Sequence, residues 1–437
     1  MTITKLLNNI IPPLHNIVQI SSPSPWEGVG ERPQSPPPSP RERSGVRLLL
    51  VLLFFPLLTY AGGLYDTTIK PADAQPHNYV PLLKHKRVAL VINQTSRVGD
   101  ESLLDILLDK KVDVVKIFVP EHGFRGKEDA GANIDNAVDS ATGIPVISLY
   151  GNHKKPKPED LADVDIVVYD LQDVGVRFYT YISTLEYCME ACAENHKQLI
   201  ILDHPDPNGF YVDGPMLESA NKSFVGMQPI PVVYGMTPGE YAQMLVGEQW
   251  LANAKDLDLK VIKCINYGHA KKYSLPVAPS PNLRTMAAIY AYPSLCLFEG
   301  TVVSVGRGTS LPFQQYGCPE FKGGYTYFFT PKSGEGAKNP PYQNTLCYGE
   351  VVGNTAEEVL AQTNNRMRVS WLIHAYHAYP AKEKFFNGFF LKLSGTAKLE
   401  EQIKNGLTEE QIHEGWQHDI AAFKKIRKKY LLYDDFE

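Results

Sequence analysis

Short, continuously hydrophobic runs alternate with helical segments from about residue 87 onward, and this alternation constrains the fold more than any other feature. Parallel strands with helices over both faces have such runs, because neither face of the strand meets water. The runs lie at 88–92, 114–119, 145–149, 165–169 and 199–202. Between them, apolar residues recur at helical spacing, for example over 182–192. The alternation predicts an open, parallel α/β sheet of the Rossmann type.

The second part of the chain predicts a smaller α/β (α+β) domain. Loops rich in glycine and proline precede a helix that begins with Thr355 and Glu358, and the pattern recurs at Thr408. A threonine followed three residues later by Glu or Gln marks a helix start, because each side chain bonds a free backbone N–H group. We therefore expect a Rossmann-like domain over 78–285 and the smaller domain over 286–437.

The N-terminal 61 residues have the composition of a leader and a signal peptide. Seven prolines lie within residues 21–40, and a basic segment, an apolar run over 48–58 and the small residue Ala61 follow. This order is that of a secretory signal, and the run is too short to span a bilayer as a helix. We expect residues before about Val46 to be an over-extended start or a dispensable leader. The mature chain is then periplasmic or secreted and has no integral membrane span.

Composition excludes several classes of protein. The chain has 43 basic and 48 acidic residues, a formal net charge of -5 and 43% hydrophobic residues. Neither a disordered chain nor a basic nucleic-acid binder has this balance, so we expect no nucleic-acid partner. The six cysteines form no CxxC pair, which argues against a zinc ribbon or a thioredoxin-type site.

Polar side chains follow four of the five predicted strands, at the point where each run ends. In an open parallel sheet, ligands bind at the carboxyl ends of the strands. Any single one of these residues can instead cap a helix or form a turn, but the set indicates a functional edge. The set comprises Asn93, Gln94 and Thr95, then Glu121, His122 and Arg125, then Asp170, Gln172 and Asp173, and finally Asp203 and His204.

Other α/β chemistries lack their signatures in this sequence. The first run is followed by Asn-Gln-Thr-Ser-Arg-Val-Gly, without the GxGxxG that brings the backbone close to a pyrophosphate. The sequence contains neither a Walker A motif nor a GxSxG nucleophile elbow. His122, Asp170 and His204 could bind a metal, but no HExxH motif supports this. We expect no organic cofactor and no metal.

Six segments carry a family resemblance. They are 120–126 (PEHGFRG), 169–181 (YDLQDVGVRFYTY), 203–205 (DHP), 280–283 (SPNL), 298–301 (FEGT) and 306–309 (GRGT). From about Arg87 to its C-terminus, the chain resembles the exo-β-N-acetylmuramidases of glycoside hydrolase family 171. The resemblance implies a Rossmann-like catalytic domain, a smaller C-terminal domain and an active-site cleft between them. It also implies hydrolysis of terminal, non-reducing N-acetylmuramic acid from peptidoglycan fragments or muropeptides during cell-wall turnover.

Glycosidic cleavage needs a proton donor at the leaving oxygen, and Glu121 is the predicted donor. It follows a buried strand, and burial raises a carboxyl pKa so that the proton is retained. Asp170 or Asp173 is the predicted second carboxylate, acting as the base for water. Residues three apart on an extended segment face opposite ways, so we expect only one of them in the cleft. Attack by the 2-acetamido oxygen of the sugar remains the alternative, and inversion and retention both stay open.

N-acetylmuramic acid carries a lactyl carboxylate that N-acetylglucosamine lacks, so a selective site is expected to offer a guanidinium. Arg125, Arg177 and Arg307 lie in the motifs, and Arg284 is a fourth candidate, although each could form a structural ion pair instead. Two tyrosines of 169–181 could stack on a sugar or pack in the sheet. The predicted substrate-binding residues are Asn93, His122, Arg125, Gln172, Arg177, Tyr179, Tyr181, His204, Asn282, Glu299, Arg307 and Thr309.

Two other functions fit the same residues. A muropeptide- or sugar-binding protein would use the cleft for capture, and it would bind tightly without turnover. A metal-dependent hydrolase of another bond would be inactivated by chelators.

Overall fold

The structure, a computed structural model, describes residues 63–121, 123 and 136–437. The predicted leader and signal peptide, together with His122 and Arg125, lie outside these residues. In the described part of the chain, no helix is both long enough and apolar enough to cross a membrane.

Strands and helices alternate through the first two thirds of the described residues. The strands are β1 (Arg87–Ile92), β2 (Arg97–Val98), β3 (Glu101–Ser102), β4 (Asp113–Val119), β5 (Ala137–Val138), β6 (Pro145–Ser148), β7 (Ile166–Asp170), β8 (Gln198–Leu202), β9 (Leu259–Ile262), β10 (Gln315–Cys318), β11 (Tyr327–Phe329) and β12 (Cys347–Val351). The α-helices are α1 (Pro76–Leu83), α2 (Leu103–Asp109), α3 (Pro158–Leu161), α4 (Tyr181–Glu194), α5 (Pro238–Gly247), α6 (Met286–Leu295), α7 (Ala356–Thr363), α8 (Ser370–Ala378), α9 (Phe390–Ser394), α10 (Lys398–Lys404) and α11 (Glu409–Arg427).

Seven strands form one sheet in the order β5-β6-β4-β1-β7-β8-β9, and only the short β5 runs antiparallel to its neighbour. Among the parallel strands, this is the Rossmann order, in which the sequence of strands reverses between β1 and β7. The predicted α/β sheet is therefore confirmed, and all five predicted runs are strands in it. The sequence does not reveal β9, because this edge strand has only one buried residue and no continuous hydrophobic run.

Alternate residues of the central strands supply two separate cores. Val88 and Leu90 of β1 pack in a core with residues of α1 and α2, whereas Ala89 and Val91 belong to a second core with residues of α4 and α5. Successive side chains of a strand point to opposite faces, so a strand covered on both sides must be hydrophobic throughout. This burial on both faces leaves the ends of the strands as the part of the sheet where polar chemistry is possible.

The second, smaller domain contains a three-stranded antiparallel sheet in the order β10-β12-β11. Two of its helices, α7 and α11, begin where the sequence predicts. The Thr355 hydroxyl accepts the backbone N–H of Glu358, and Thr408 and Gln411 form a complete capping box.

A buried arginine joins the sheet domain to the second domain. The Arg177 side chain is fully buried, and its guanidinium donates hydrogen bonds of 2.7–2.9 Å to the carbonyls of Pro215, Ile230, Leu393 and Ser394. Burial lowers the pKa of Arg177 to about 9, so the side chain is still charged at neutral pH. Four backbone acceptors hold this guanidinium, which makes Arg177 a structural tie rather than a substrate clamp.

Replacing Arg177 by methionine should destabilise the protein strongly. The change leaves four buried carbonyls without their charged donor, and hydrogen bonds to charged groups contribute about 1.5–3 kcal/mol each. We expect Arg177→Met to lower the free energy of unfolding by about 3 kcal/mol or more in urea denaturation. The matched control is Arg87→Met, which removes a surface pair with Asp165 and should cost less than about 1 kcal/mol. Equal effects of the two changes would contradict the structural role of Arg177.

Candidate active site

A cleft of about 570 Å³ opens between the carboxyl edge of the seven-stranded sheet and the second domain. Carboxyl, guanidinium and hydroxyl groups converge in it on a largely aromatic lining, as in sites that bind small polar ligands. The sheet side is lined by Glu121, Tyr150, Phe178, Tyr179 and Thr180. The opposite side is lined by Tyr292, Cys296, Glu299, Arg307, Phe313 and Phe389.

Glu121 enters the cleft from the end of β4, where a tight turn follows the strand. The N–H of Gly123 donates to the carbonyl of Pro120 at 3.1 Å, and the φ of 73° at Gly123 suits a residue without a side chain. The Thr180 hydroxyl, at the start of α4, donates to Glu121 Oε2 at 2.9 Å. The Tyr150 phenol also hydrogen-bonds Glu121, and burial together with this carboxylate raises the pKa of Tyr150. Two neutral donors therefore fix the carboxyl group at the cleft.

A second carboxylate, Glu299, faces the cleft from the other side and is paired with an arginine. Arg307 Nε lies 2.6 Å from Glu299 Oε1, and the Cys296 thiol lies 3.6 Å from Oε2. The guanidinium also lies over the ring of Phe313, 4.9 Å from its centroid. Burial alone would lower the pKa of Arg307, but the Glu299 carboxylate outweighs it and holds the pKa above its usual range. The guanidinium is thus permanently charged and held in one orientation.

Neither Asp170 nor Asp173 lines this cleft. Asp170 is fully buried, and its Oδ1 lies 2.6 Å from Nε2 of His204. Asp173 is also buried and accepts hydrogen bonds from Tyr234 Oη at 2.6 Å and from the Gly175 N–H at 2.7 Å. The chain that leaves β7 runs through the interior, so its carboxylates bond to the protein. Glu299, a predicted substrate-binding residue, is therefore the second carboxylate that lines the cleft.

Several predicted substrate-binding residues support the cleft from behind. Asn93 Nδ2 donates to Tyr181 Oη at 2.7 Å, and Tyr181 and Tyr179 both donate to the carbonyl of Pro279. The side-chain amide of Gln172 donates to the backbone carbonyls of Asp173 and Pro205. Of these four side chains, only Tyr179 lines the cleft itself.

The other predicted residues fall into three places. Asn282, Thr309 and the candidate clamp Arg284 line a neighbouring pocket of about 220 Å³. Arg177 and His204 are buried outside the cleft, the latter beside Asp170. From the motif 120–126, His122 and Arg125 lie outside the described residues. Among the described candidates, Arg307 is thus the arginine that reaches the cleft.

Several side chains of the cleft were not predicted from the sequence, among them Tyr150, Thr180 and Tyr292. Tyr150 follows the third predicted strand, where the rule that ligands lie at carboxyl ends would have found it. Thr180 lies inside the motif 169–181, but its side chain has no ionisable group that would indicate a catalytic role. Tyr292 lies on α6, and its ring packs edge-on against Phe313 at 5.0 Å. No sequence pattern distinguishes an aromatic residue of a helix that lines a cleft from one that packs in the core.

Comparisons with known proteins identify the family of the chain. Family models of exo-β-N-acetylmuramidase NamZ match residues 88–287 with the N-terminal domain and 290–433 with the C-terminal domain. A peptidoglycan β-N-acetylmuramidase NamZ of Bacillus subtilis (strain 168) is 38% identical over 415 residues, which cover 87% of this chain and 97% of that protein.

Two crystal structures of proteins of the DUF1343 family from Bacteroides fragilis NCTC 9343 share the fold. The first is 47% identical with a TM-score of 0.78, and it aligns over 84% of this chain and 99% of that chain. The second is 29% identical with a TM-score of 0.67, again over 84% of this chain and 99% of that chain.

The buried Asp173 should make stability depend on pH. Burial raises its pKa to about 7, although Tyr234 and Gly175 partly oppose the shift. The unfolded carboxyl ionises near pH 3.9, so between these values the folded chain holds a proton that the unfolded chain has lost. Its contribution to stability is therefore complete below about pH 4 and is lost as the pH rises through about 7.

Asp173→Asn keeps the shape of the side chain but cannot ionise. Its free energy of unfolding relative to the natural protein should rise as the pH goes from about 5 to about 8. Denaturant titrations across this range measure the difference, and the surface variant Asp109→Asn controls for the loss of one acidic side chain. A difference that does not change with pH would show that Asp173 is ionised throughout.

Proposed function

The chain belongs to the exo-β-N-acetylmuramidase NamZ family, and we propose that its cleft releases terminal N-acetylmuramic acid from the non-reducing ends of peptidoglycan fragments. It is a glycoside hydrolase, as is its Bacillus subtilis relative, which acts on peptidoglycan. The observation that carries the proposal is that one cleft is lined both by Glu121, which is hydrogen-bonded by hydroxyl groups, and by Arg307, which Glu299 holds in place.

Glu121 is the general acid in this proposal. Cleavage of the glycosidic bond places negative charge on the leaving oxygen, and a carboxyl proton delivered there neutralises it. Thr180 and Tyr150 hold the carboxyl group from two directions, so that it need not reorient during the reaction. Hydroxyl partners suit this role because they bond a carboxyl group in either protonation state.

Arg307 is the group that recognises the lactyl carboxylate. Among the described residues, its one hydrogen bond goes from Nε to Glu299, so its terminal nitrogens are available to a substrate carboxylate. The planar fork of an arginine can bind a carboxylate through two parallel hydrogen bonds. Glu299 engages both of its oxygens, with Arg307 and with Cys296, and therefore positions the guanidinium rather than activating water.

The cellular location follows from the substrate and from the N-terminal sequence. Peptidoglycan lies outside the cytoplasmic membrane, and residues 1–61 have the order of a leader and a secretory signal. We propose that the chain is exported and cleaved after Ala61. N-terminal sequencing of the exported protein checks this, and a mature chain that begins at Met1 would disprove it.

Replacing Glu121 by glutamine should abolish turnover. The amide keeps the size and the hydrogen bond to Thr180 but cannot deliver a proton, and general acids contribute about 10²–10⁴-fold to rate. We expect kcat on a chromogenic N-acetylmuramide to fall by at least about 10²-fold with an unchanged circular dichroism spectrum. Glu159→Gln, on the exposed surface of α3, is the control and should leave kcat unchanged. Full activity of Glu121→Gln would remove the proposed acid.

Replacing Arg307 by lysine should reduce the preference for the lactyl group. Lysine keeps the charge but loses the planar fork and the fixed contact with Glu299. We expect kcat/KM on the N-acetylmuramide to fall by about 10–100-fold, as for the loss of one charged hydrogen bond, with little change on the matching N-acetylglucosaminide. Equal hydrolysis of the two substrates by the natural protein would contradict the clamp. Tight binding of muropeptides without any turnover would instead favour a capture protein.

A further inference from the structure

A second group of ionisable side chains lies outside the cleft, at the carboxyl ends of β7 and β8. Asp73, Asp170 and His204 each offer a ligand atom, and these atoms all lie within 4.8 Å of one another. The three side chains are 1%, 0% and 3% exposed, so water cannot solvate their charges freely. Even when the imidazole is protonated, two ionised carboxylates leave one uncompensated negative charge in this buried group, and a proton or a cation must neutralise it.

The hydrogen bonds of the group leave most of its oxygens without a well-aligned partner. Only Asp170 Oδ1 has one, His204 Nε2 at 2.6 Å. Oδ2 of Asp170 and both oxygens of Asp73 are buried without a well-aligned hydrogen bond to any described residue, although the backbone N–H groups of Asp73 and Ala74 interact with the Asp73 carboxylate. A proton shared by two carboxyl groups would appear as a hydrogen bond between them, and no such bond is made. The candidate ligand atoms all lie within 4.8 Å of one another, which is close enough for all three side chains to reach one common ion.

Asp73 and His204 of this group line a small cavity at the point where the strand order of the sheet reverses. The cavity has a volume of about 10 Å³, enough for roughly one water molecule, and Thr95 after β1 and Gln172 after β7 line it together with Asp73 and His204. In open α/β sheets, this crevice is where ligands bind. Arg97 also borders the cavity, but it donates to the carbonyl of Asp100 and forms no ion pair with the carboxylates.

Asp73 reaches this crevice from the segment that precedes α1. The Ala72 N–H donates to the carbonyl of Asp203 at 2.9 Å, and Gln75 Nε2 donates to the carbonyl of Lys263 at 2.9 Å. The segment therefore crosses the carboxyl edge of the sheet and brings one carboxylate to residues that follow β7 and β8. A ligand bound by all three side chains would tie this N-terminal segment to the sheet.

We propose that Asp73, Asp170 and His204 bind one divalent transition-metal ion. Two carboxylates and an imidazole form a donor set that suits Zn²⁺ or Mn²⁺. None of the three residues lines the substrate cleft. The ion is therefore structural: it replaces the missing hydrogen bonds of Asp73 and Asp170 and holds the N-terminal segment in place.

Metal content and thermal stability of the full, untagged chain test the proposal. The protein is dialysed against EDTA, returned to metal-free buffer and titrated with ZnCl₂ or MnCl₂, with bound metal measured by mass spectrometry. We expect one ion per chain and, at about 100 times the dissociation constant, a rise in Tm of about 2 °C or more. The variant Asp73→Asn should lose both effects. The matched control is Asp66→Asn, a change in the same segment at a side chain bonded to Thr68 and Lys271, and it should retain both.

Either of two results would overturn the proposal. The first is the absence of both bound metal and a Tm shift in the natural chain, and the second is equal binding by Asp73→Asn and Asp66→Asn. Should Asp73→Asn fail to fold, X-ray absorption on the natural, metal-loaded chain decides instead. Oxygen and nitrogen ligands with one imidazole support the site, and two or more imidazoles exclude it.

Activity is measured separately on the N-acetylmuramide, because the metal site does not rest on the proposed general acid. We expect the metal-depleted chain to keep its kcat at temperatures well below its lowered Tm. Loss of kcat in a chain that is still folded would overturn the structural role of the ion.

Discussion

Burial of the seven-stranded sheet on both faces is the constraint on which the rest of the molecule depends. Parallel strands covered by helices leave polar chemistry no place except their carboxyl ends. Here that edge is divided into two parts. The ends of β4 and β6 face the cleft through Glu121 and Tyr150, whereas the ends of β7 and β8 are enclosed by the chain itself. The same type of position therefore yields a reactive group at one strand and a structural group at the next.

The fold was predictable from the sequence because short, continuous stretches of residues mark its central strands and two of its helix starts. Hydrophobic runs fix the five central strands, and Thr355 and Thr408 fix two helix starts. The site was predictable only in part, because motifs name residues without saying which way they face. Glu121 and Arg307 line the cleft. Asp173 and Arg177 lie in equally polar motifs, but both are buried and form their hydrogen bonds within the protein. That difference arises when loops from distant parts of the chain pack over the strand ends, which no local pattern records.

The two carboxylates of the cleft differ in the chemistry of their partners. In the described part of the chain, the hydroxyl groups of Thr180 and Tyr150 bond Glu121, and a hydroxyl group can bond a carboxyl group whether or not it carries a proton. Glu299 is held by a guanidinium, which only donates and so matches the ionised form alone. A site with two carboxylates can thus assign one to proton transfer and the other to positioning, without any difference in residue type.

The path of the N-terminal segment explains why the substrate cleft lies over β4 and β6. In Rossmann-type sheets, the crevice between the first and fourth parallel strands is the common binding place, because the chain diverges there to both sides. In this protein, the segment that carries Asp73 occupies that crevice and brings a carboxylate to Asp170 and His204. The second domain then covers the remaining part of the edge, where Arg307 and Glu121 both line the cleft. One edge of the sheet therefore provides two sites. The N-terminal segment covers the part that forms the metal site, and the second domain covers the part that forms the sugar-binding cleft.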